Sequence, residues 1–194
     1  NKNELKKIEK DIKQIRNICE KPIDLHIISD NPNKYSKFIQ DYKIEYVTYQ
    51  LENIVEELDI SKSNHTKYGI AITSDTSINQ FDKYKNFCDF ILFMTTVPGE
   101  SGGKFNNINF KKIREFKSAY PSKKIHVDGG VNDEIAFILR IHGVKSVVSG
   151  SYLVNGDIAK SLLELKSSVS SSEIKIKEFM QIREEIPIVN RDCS

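Results

Sequence analysis

The chain has 194 residues, a formal net charge of +2 and 29% charged residues of both signs. That length can bury one sizeable core, and the mixed charge argues against a nucleic-acid stripe or a polyanion partner. No apolar run approaches the roughly 18 residues that cross a bilayer, so a membrane partner is not expected either. Leu5, Ile8, Ile12, Ile15 and Ile18 recur at three- and four-residue steps, which predicts an amphipathic helix over 2–20 that Pro22 closes. A strand follows at 23–28, then a turn at Asp30-Asn31-Pro32 and a helix over 33–42 with Tyr35, Phe38 and Ile39 inward. Further strands are predicted at 44–49, 68–72, 90–94, 125–128 and around Val147. Helical segments are predicted between and after them at 51–58, 77–84, 109–119, 133–141 and 158–165. Strict alternation of strand and helix argues for a parallel sheet, with ligands at the strand C-termini. From residue 167 the character changes to a serine-rich linker, a charged helix over 173–185 and a strand at 186–189. The expected organisation is one unit over 1–166 and a separate region over 167–194. Cys19, Cys88 and Cys193 lack metal-type spacing and read as reduced thiols of a cytoplasmic protein.

Three consecutive strands run into small-residue loops. Phe90–Met94 leads to Pro98-Gly99-Glu100-Ser101-Gly102-Gly103-Lys104, Ile125–Val127 to Asp128-Gly129-Gly130, and Ser146–Val148 to Ser149-Gly150-Ser151. Backbone amides in such loops can cradle a phosphate, with Ser151 adding an amide or hydroxyl. Ordinary loop glycines at helix–strand joins are the plainer reading. Asp128, at a strand tip, can act as general acid/base or metal ligand, or simply cap the next turn. His26 shares a strand face with Asp24. It is either a hydrogen-bonded interior residue or, beside Asp128, half of a metal pair. His126 fits interior packing, and His65 and His142 read as structural.

Met94-Thr95, Pro98-Gly99, Gly102-Gly103-Lys104-Phe105, Val127-Asp128-Gly129-Gly130-Val131 and Ser149-Gly150-Ser151 together resemble the ribulose-phosphate 3-epimerase family. Asp24-Leu25-His26-Ile27-Ile28, with Asp30-Asn31-Pro32 and Tyr35, is similar to that family's third-strand motif. The resemblance implies an α/β TIM (β/α) barrel of the ribulose-phosphate-binding type, of which this chain covers strands 3–8. It implies an isomerase of carbohydrate (pentose phosphate) metabolism, with metal-assisted proton transfer at C3 of ribulose 5-phosphate or a related ketose phosphate. It assigns Asp128 a catalytic role, and His26 and Asp128 the binding of one divalent metal (Zn, Fe, Mn or Co). His26, Met94, Gly102, Gly103, Gly129, Gly130, Gly150 and Ser151 are implied to bind substrate and phosphate.

Departures from the family pattern are also present. The motifs of the first two strands, with the second aspartate and two metal ligands, do not occur. Gln50 stands where a His is frequent, with Glu52 after it; Thr73-Ser74, Ser101 and Gly103 are further replacements. The start at Asn1 and the end at Ser194 are read as those of a segment of a longer protein. The alternative is a catalytically inactive sugar-phosphate-binding or scaffold domain of a larger fusion protein. Ile188–Ser194 faintly resembles the opening strand of haloacid-dehalogenase-type phosphatases. Six strands would leave edges and apolar surface open, which favours association into a homo-oligomer.

Overall fold

The computed structural model describes residues 2–60, 65–100 and 102–167. Short apolar runs form six strands: β1 (Asp24–Ile27), β2 (Tyr46–Gln50), β3 (Lys67–Thr73), β4 (Phe90–Met94), β5 (Lys124–Asp128) and β6 (Ser146–Val148). They are hydrogen-bonded side by side in chain order, and every pair is parallel. The helices are α1 (Lys2–Ile18), α2 (Ser36–Asp41), α3 (Ile108–Ala119), α4 (Asp133–Ile141), α5 (Ser151–Val154) and α6 (Ile158–Lys166). This is the β/α alternation of a partial TIM barrel. The sheet is curled, because His26 of β1, Met94 of β4, Asp128 of β5 and Val148 of β6 line a single cavity.

Strand alternation sorts the side chains onto two faces. Val47, Ile70, Ile72, Ile91, Phe93 and Val127 belong to the main core with Ile39, Ile113, Phe116 and Leu139 from the helices. Burying each stabilises the fold by about 1.5–3 kcal/mol. The opposite face carries a small apolar cluster of Ala71, Leu92 and Met94 together with buried Thr48 and Gln50. Beneath it lies an aromatic layer. A Cβ on Gly69 would sit 2.2 Å from the Phe90 ring, so glycine makes room for that ring. Phe90 in turn stacks on His126, centroids 4.2 Å apart. Tyr46 meets both rings at 6.2 and 6.4 Å. His126 therefore packs the interior, and burial, with Lys124 nearby, pushes its pKa down to about 4.

Several local expectations are corrected. The helix expected over 51–58 is only a 3-10 turn, Leu51–Asn53, after which Ile54 is extended. The Asn33 side chain explains this, because its amide donates to the Glu57 carbonyl and its oxygen accepts from the Asp59 N–H. That strap is tied down in an extended form against the helical alternative. The helix over 33–42 is split into a 3-10 turn at Pro32–Tyr35 and α2, while the short helical segment expected at 77–84 is present as a 3-10 helix, Ile78–Lys83. Strand β1 is shorter than the 23–28 expected. Ile28 beside β1 and Val148 on β6 are each 43% exposed, as the open edges anticipated. No helix among the described residues is long and apolar enough to cross a membrane. The readings at 168–194, including the charged helix, the final strand and Cys193, lie outside the described residues.

Candidate functional site

Strand β5 delivers Asp128 to the mouth of a cavity of about 790 Å³. The turn after it is held by its neighbours. Thr95 donates its N–H (2.8 Å) and its hydroxyl (2.9 Å) to the Asp128 carbonyl. The same hydroxyl reaches the Gly129 carbonyl. Ser149 donates its hydroxyl to the Val131 carbonyl at 2.7 Å. Two positive-φ glycines complete the turn, Gly129 at +114° and Gly130 at +62°. A Cβ on Gly129 would lie 2.3 Å from Thr96 Oγ1, and one on Gly130 would lie 2.2 Å from the Phe105 nitrogen. These glycines thus let the β4–α3 loop close over the Asp128 turn. Gly103 does the same, with Thr96 Cγ2 at 2.6 Å from its added Cβ. Gly102 and Gly150 differ, since nothing lies within 4 Å of a Cβ placed on either. Both line the cavity with free space before them.

The capping reading of Asp128 is answered by a neighbour. Asn132 caps α4, its Oδ1 accepting from the Ile135 N–H at 2.8 Å. No hydrogen bond holds the Asp128 carboxylate among the described residues. Burial raises its pKa above the ordinary carboxylate value, and the nearby His26 ring works in the opposite direction. A carboxylate whose pKa is raised is a stronger base than an ordinary one, which suits it to accept a proton.

His26 faces the same cavity. Its Nε2 lies 2.9 Å from Gln50 Oε1. Burial lowers its pKa, against the raising influence of Gln50, Asp128 and Glu52. Gln50 donates from its amide nitrogen to Glu52, whose other oxygen accepts from the Thr73 N–H at 2.9 Å and the Thr73 hydroxyl at 3.1 Å. Thr76 also donates to it. Burial alone would raise the Glu52 pKa, but these donors together hold it below the usual value. The loop that supplies them is anchored from behind. Lys112 of α3 donates to the carbonyls of Thr73 (2.8 Å), Ser74 (2.9 Å) and Thr76 (2.6 Å).

The structure therefore brings together His26, Met94, Gly102, Gly103, Asp128, Gly129, Gly130, Gly150 and Ser151 around one cavity. Sequence reasoning gave no role to Thr95, Ser149 and Lys112, which hold the loops, or to Thr96, against which Gly103 and Gly129 pack. Thr95, Thr96 and Ser149 carry a readable signal, small hydroxyl residues directly after apolar strands. Lys112 carries none, because it looks like any helix-surface lysine. Among the described residues, the acidic and basic side chains lining the cavity are His26, Glu100 and Asp128, so an anion here would be met by amides and hydroxyls rather than lysine or arginine. For a divalent metal, His26 and Asp128 offer one imidazole and one carboxylate. A firmly held ion takes three or more protein donors. Among the described residues no group of three or more His, Cys, Asp or Glu side chains converges to hold one. The pair fits as part of a metal site and does not complete it.

Comparison with known proteins accords with this arrangement. The pattern of the Ribulose-phosphate 3 epimerase family matches residues 6–154. A protein of Aquifex aeolicus (strain VF5) named "Ribulose-phosphate 3-epimerase" is 29% identical over 170 residues, covering 83% of this chain and 76% of the relative. One of the same name from Bacillus subtilis (strain 168) is 25% identical over 166 residues, covering 81% and 76%. Another from Chlamydia muridarum (strain MoPn / Nigg) is 35% identical over 112 residues, covering 55% and 49%. Among solved structures, mandelate oxidase with (S)-2-phenylpropionate superposes with a TM-score of 0.52 at 13% identity. The match covers 79% of this chain and 58% of that one, and it speaks to the fold alone. With the family match spanning β1 through α5, and the strand-tip Asp128 and the glycine loops inside it, the chain belongs to the ribulose-phosphate 3-epimerase family.

Proposed function

We propose that this chain forms the greater part of an epimerase site for a ketose phosphate, with ribulose 5-phosphate as the first substrate to test. The observation that carries the reading is Asp128: a partly buried carboxyl with a raised pKa, free of hydrogen bonds to its carboxylate among the described residues, lining a cavity of about 790 Å³. Its carboxylate takes the proton from C3 of the sugar, or its protonated carboxyl returns one there. Gly150 and Gly102 leave room at the cavity wall, and the amides around them and around Ser151 hold the phosphate. Met94 and Val148 give the sugar backbone an apolar wall. A divalent ion (Zn, Fe, Mn or Co), held in part by His26 and Asp128, would stabilise negative charge on the sugar oxygens when bound. Its remaining donors would come from outside the described residues.

Deuterium incorporation at C3 of ribulose 5-phosphate by the full-length protein tests this. General acid–base catalysis contributes about 10²–10⁴-fold, so Asp128→Asn should abolish exchange to that extent. No exchange with any pentulose, hexulose or heptulose phosphate would overturn the proposal. One observation favours a second reading, a sugar-phosphate-binding domain without turnover. Epimerisation needs an acid on the face opposite the base. Among the described residues, the other carboxylate lining the cavity is Glu100, on the β4–α3 loop rather than at a strand tip. That reading predicts phosphate-ester binding that survives EDTA, with no exchange at C3.

A further inference from the structure

We infer that Glu52, acting through Gln50, sets the tautomer of His26, placing the ring proton on Nε2 and leaving Nδ1 as the nitrogen with the free lone pair. The donors and acceptors that run from Glu52 through Gln50 to His26 permit one arrangement. Glu52 Oε1 accepts from the Thr73 N–H and the Thr73 hydroxyl, and Thr76 donates to the same oxygen. Its Oε2 faces the Gln50 side chain. A carboxylate carrying these bonds only accepts, so Gln50 must turn its NH₂ toward Glu52. The amide oxygen is then committed to the other side, where it lies 2.9 Å from His26 Nε2. An amide oxygen only accepts, so Nε2 must donate. In a neutral imidazole the proton then sits on Nε2, and Nδ1 is bare.

The remote end of this chain is rigid. Lys112 holds the carbonyls of Thr73, Ser74 and Thr76, and so fixes the loop that fixes Glu52. Gln50 is buried, 1% exposed, and leaves water little opportunity to substitute for either partner. Gln50 and Glu52 are thus positioning residues. They decide which ring nitrogen of His26 carries the proton and which keeps its lone pair. The inference is independent of the reaction proposed above, because the tautomer is read on the ring itself.

The full-length protein, labelled with ¹⁵N-histidine, provides the test at about pH 8, where an ordinary imidazole is neutral. Long-range proton–nitrogen correlations, taken with and without EDTA, identify the protonated ring nitrogen. The wild type is expected to carry the proton on Nε2. In Glu52→Gln the order inverts. The new side chain keeps its oxygen toward the Thr73 N–H and presents NH₂ to Gln50. Gln50 then flips, its NH₂ meets Nε2, and the ring proton moves to Nδ1. A structural role alone would not reverse the tautomer. A wild-type proton on Nδ1, or a folded Glu52→Gln that keeps it on Nε2, overturns the inference. Should Glu52→Gln not fold, Gln50→Leu decides: both tautomers are expected there, and an unchanged Nε2–H form overturns it.

Discussion

Two glycines three or fewer residues beyond a strand end are expected to respond in opposite ways to enlargement. Gly150 has φ −93° and ψ −74°, a conformation open to any residue, and a Cβ placed on it meets nothing within 4 Å. Gly150→Val should therefore change stability by no more than about 1 kcal/mol. Its branched side chain would project into the space assigned to the phosphate, so affinity for ribulose 5-phosphate should fall at least tenfold, about 1.4 kcal/mol. Gly130 has φ +62°, and its Cβ would sit 2.2 Å from a backbone nitrogen, that of Phe105, which cannot swing aside as a side chain could. For Gly130→Ala the left-handed conformation costs about 1–2 kcal/mol. Forcing the β4–α3 loop away costs about 1–3 kcal/mol more, for a total of about 2–5 kcal/mol. Urea denaturation and calorimetric titration with ribulose 5-phosphate on the same preparations separate the two effects. Undiminished binding by Gly150→Val, or a loss under about 0.5 kcal/mol for Gly130→Ala, would refute the division into ligand-space and loop-closing glycines.

Lys112→Met keeps the aliphatic stem and removes the ammonium that three carbonyls share; it should cost about 2–3 kcal/mol in urea denaturation, and a loss near zero would show the loop after β3 held by other means. The raised pKa of Asp128 has a stability consequence of definite sign. A carboxyl whose folded pKa lies above its unfolded one favours folding when protonated, and this contribution is lost as pH rises through the folded pKa. In EDTA, Asp128→Asn should therefore be more stable than the wild type at about pH 7, with the difference vanishing below about pH 4, the unfolded carboxyl range. A constant difference across that range would show that burial does not perturb this group.

Much of the site was legible because motif and strand parity act locally. Asp128 follows an apolar run by one residue, so its place at a strand tip needs no long-range knowledge. His26 and Asp24 share a face by two-residue spacing alone. The role of each glycine was not legible. Gly103, Gly129, Gly130 and Gly150 look alike in sequence, yet three stand against Thr96 or the 104–105 backbone and one stands before open space. The helix expected over 51–58 failed for a similar reason. Its residues could form a helix, but the side chain of Asn33 binds the strap at Glu57 and Asp59, 24 and 26 residues later.

By itself the sequence determined the β/α alternation, the parallel sheet and the order of the strand-end loops. These follow from hydrophobic period and turn chemistry, which each segment carries within itself. Tertiary structure alone decided how those loops are held and what the site residues can do. Curling the sheet sets His26 on β1 and Asp128 on β5 around one cavity, and burial there raises the carboxyl's pKa. Only the folded chain lets Thr73 and Thr76 bind Glu52 and, through Gln50, reach the imidazole of His26. Distances across strands and the loss of water around a charge arise from the fold as a whole, and no local run of residues contains them.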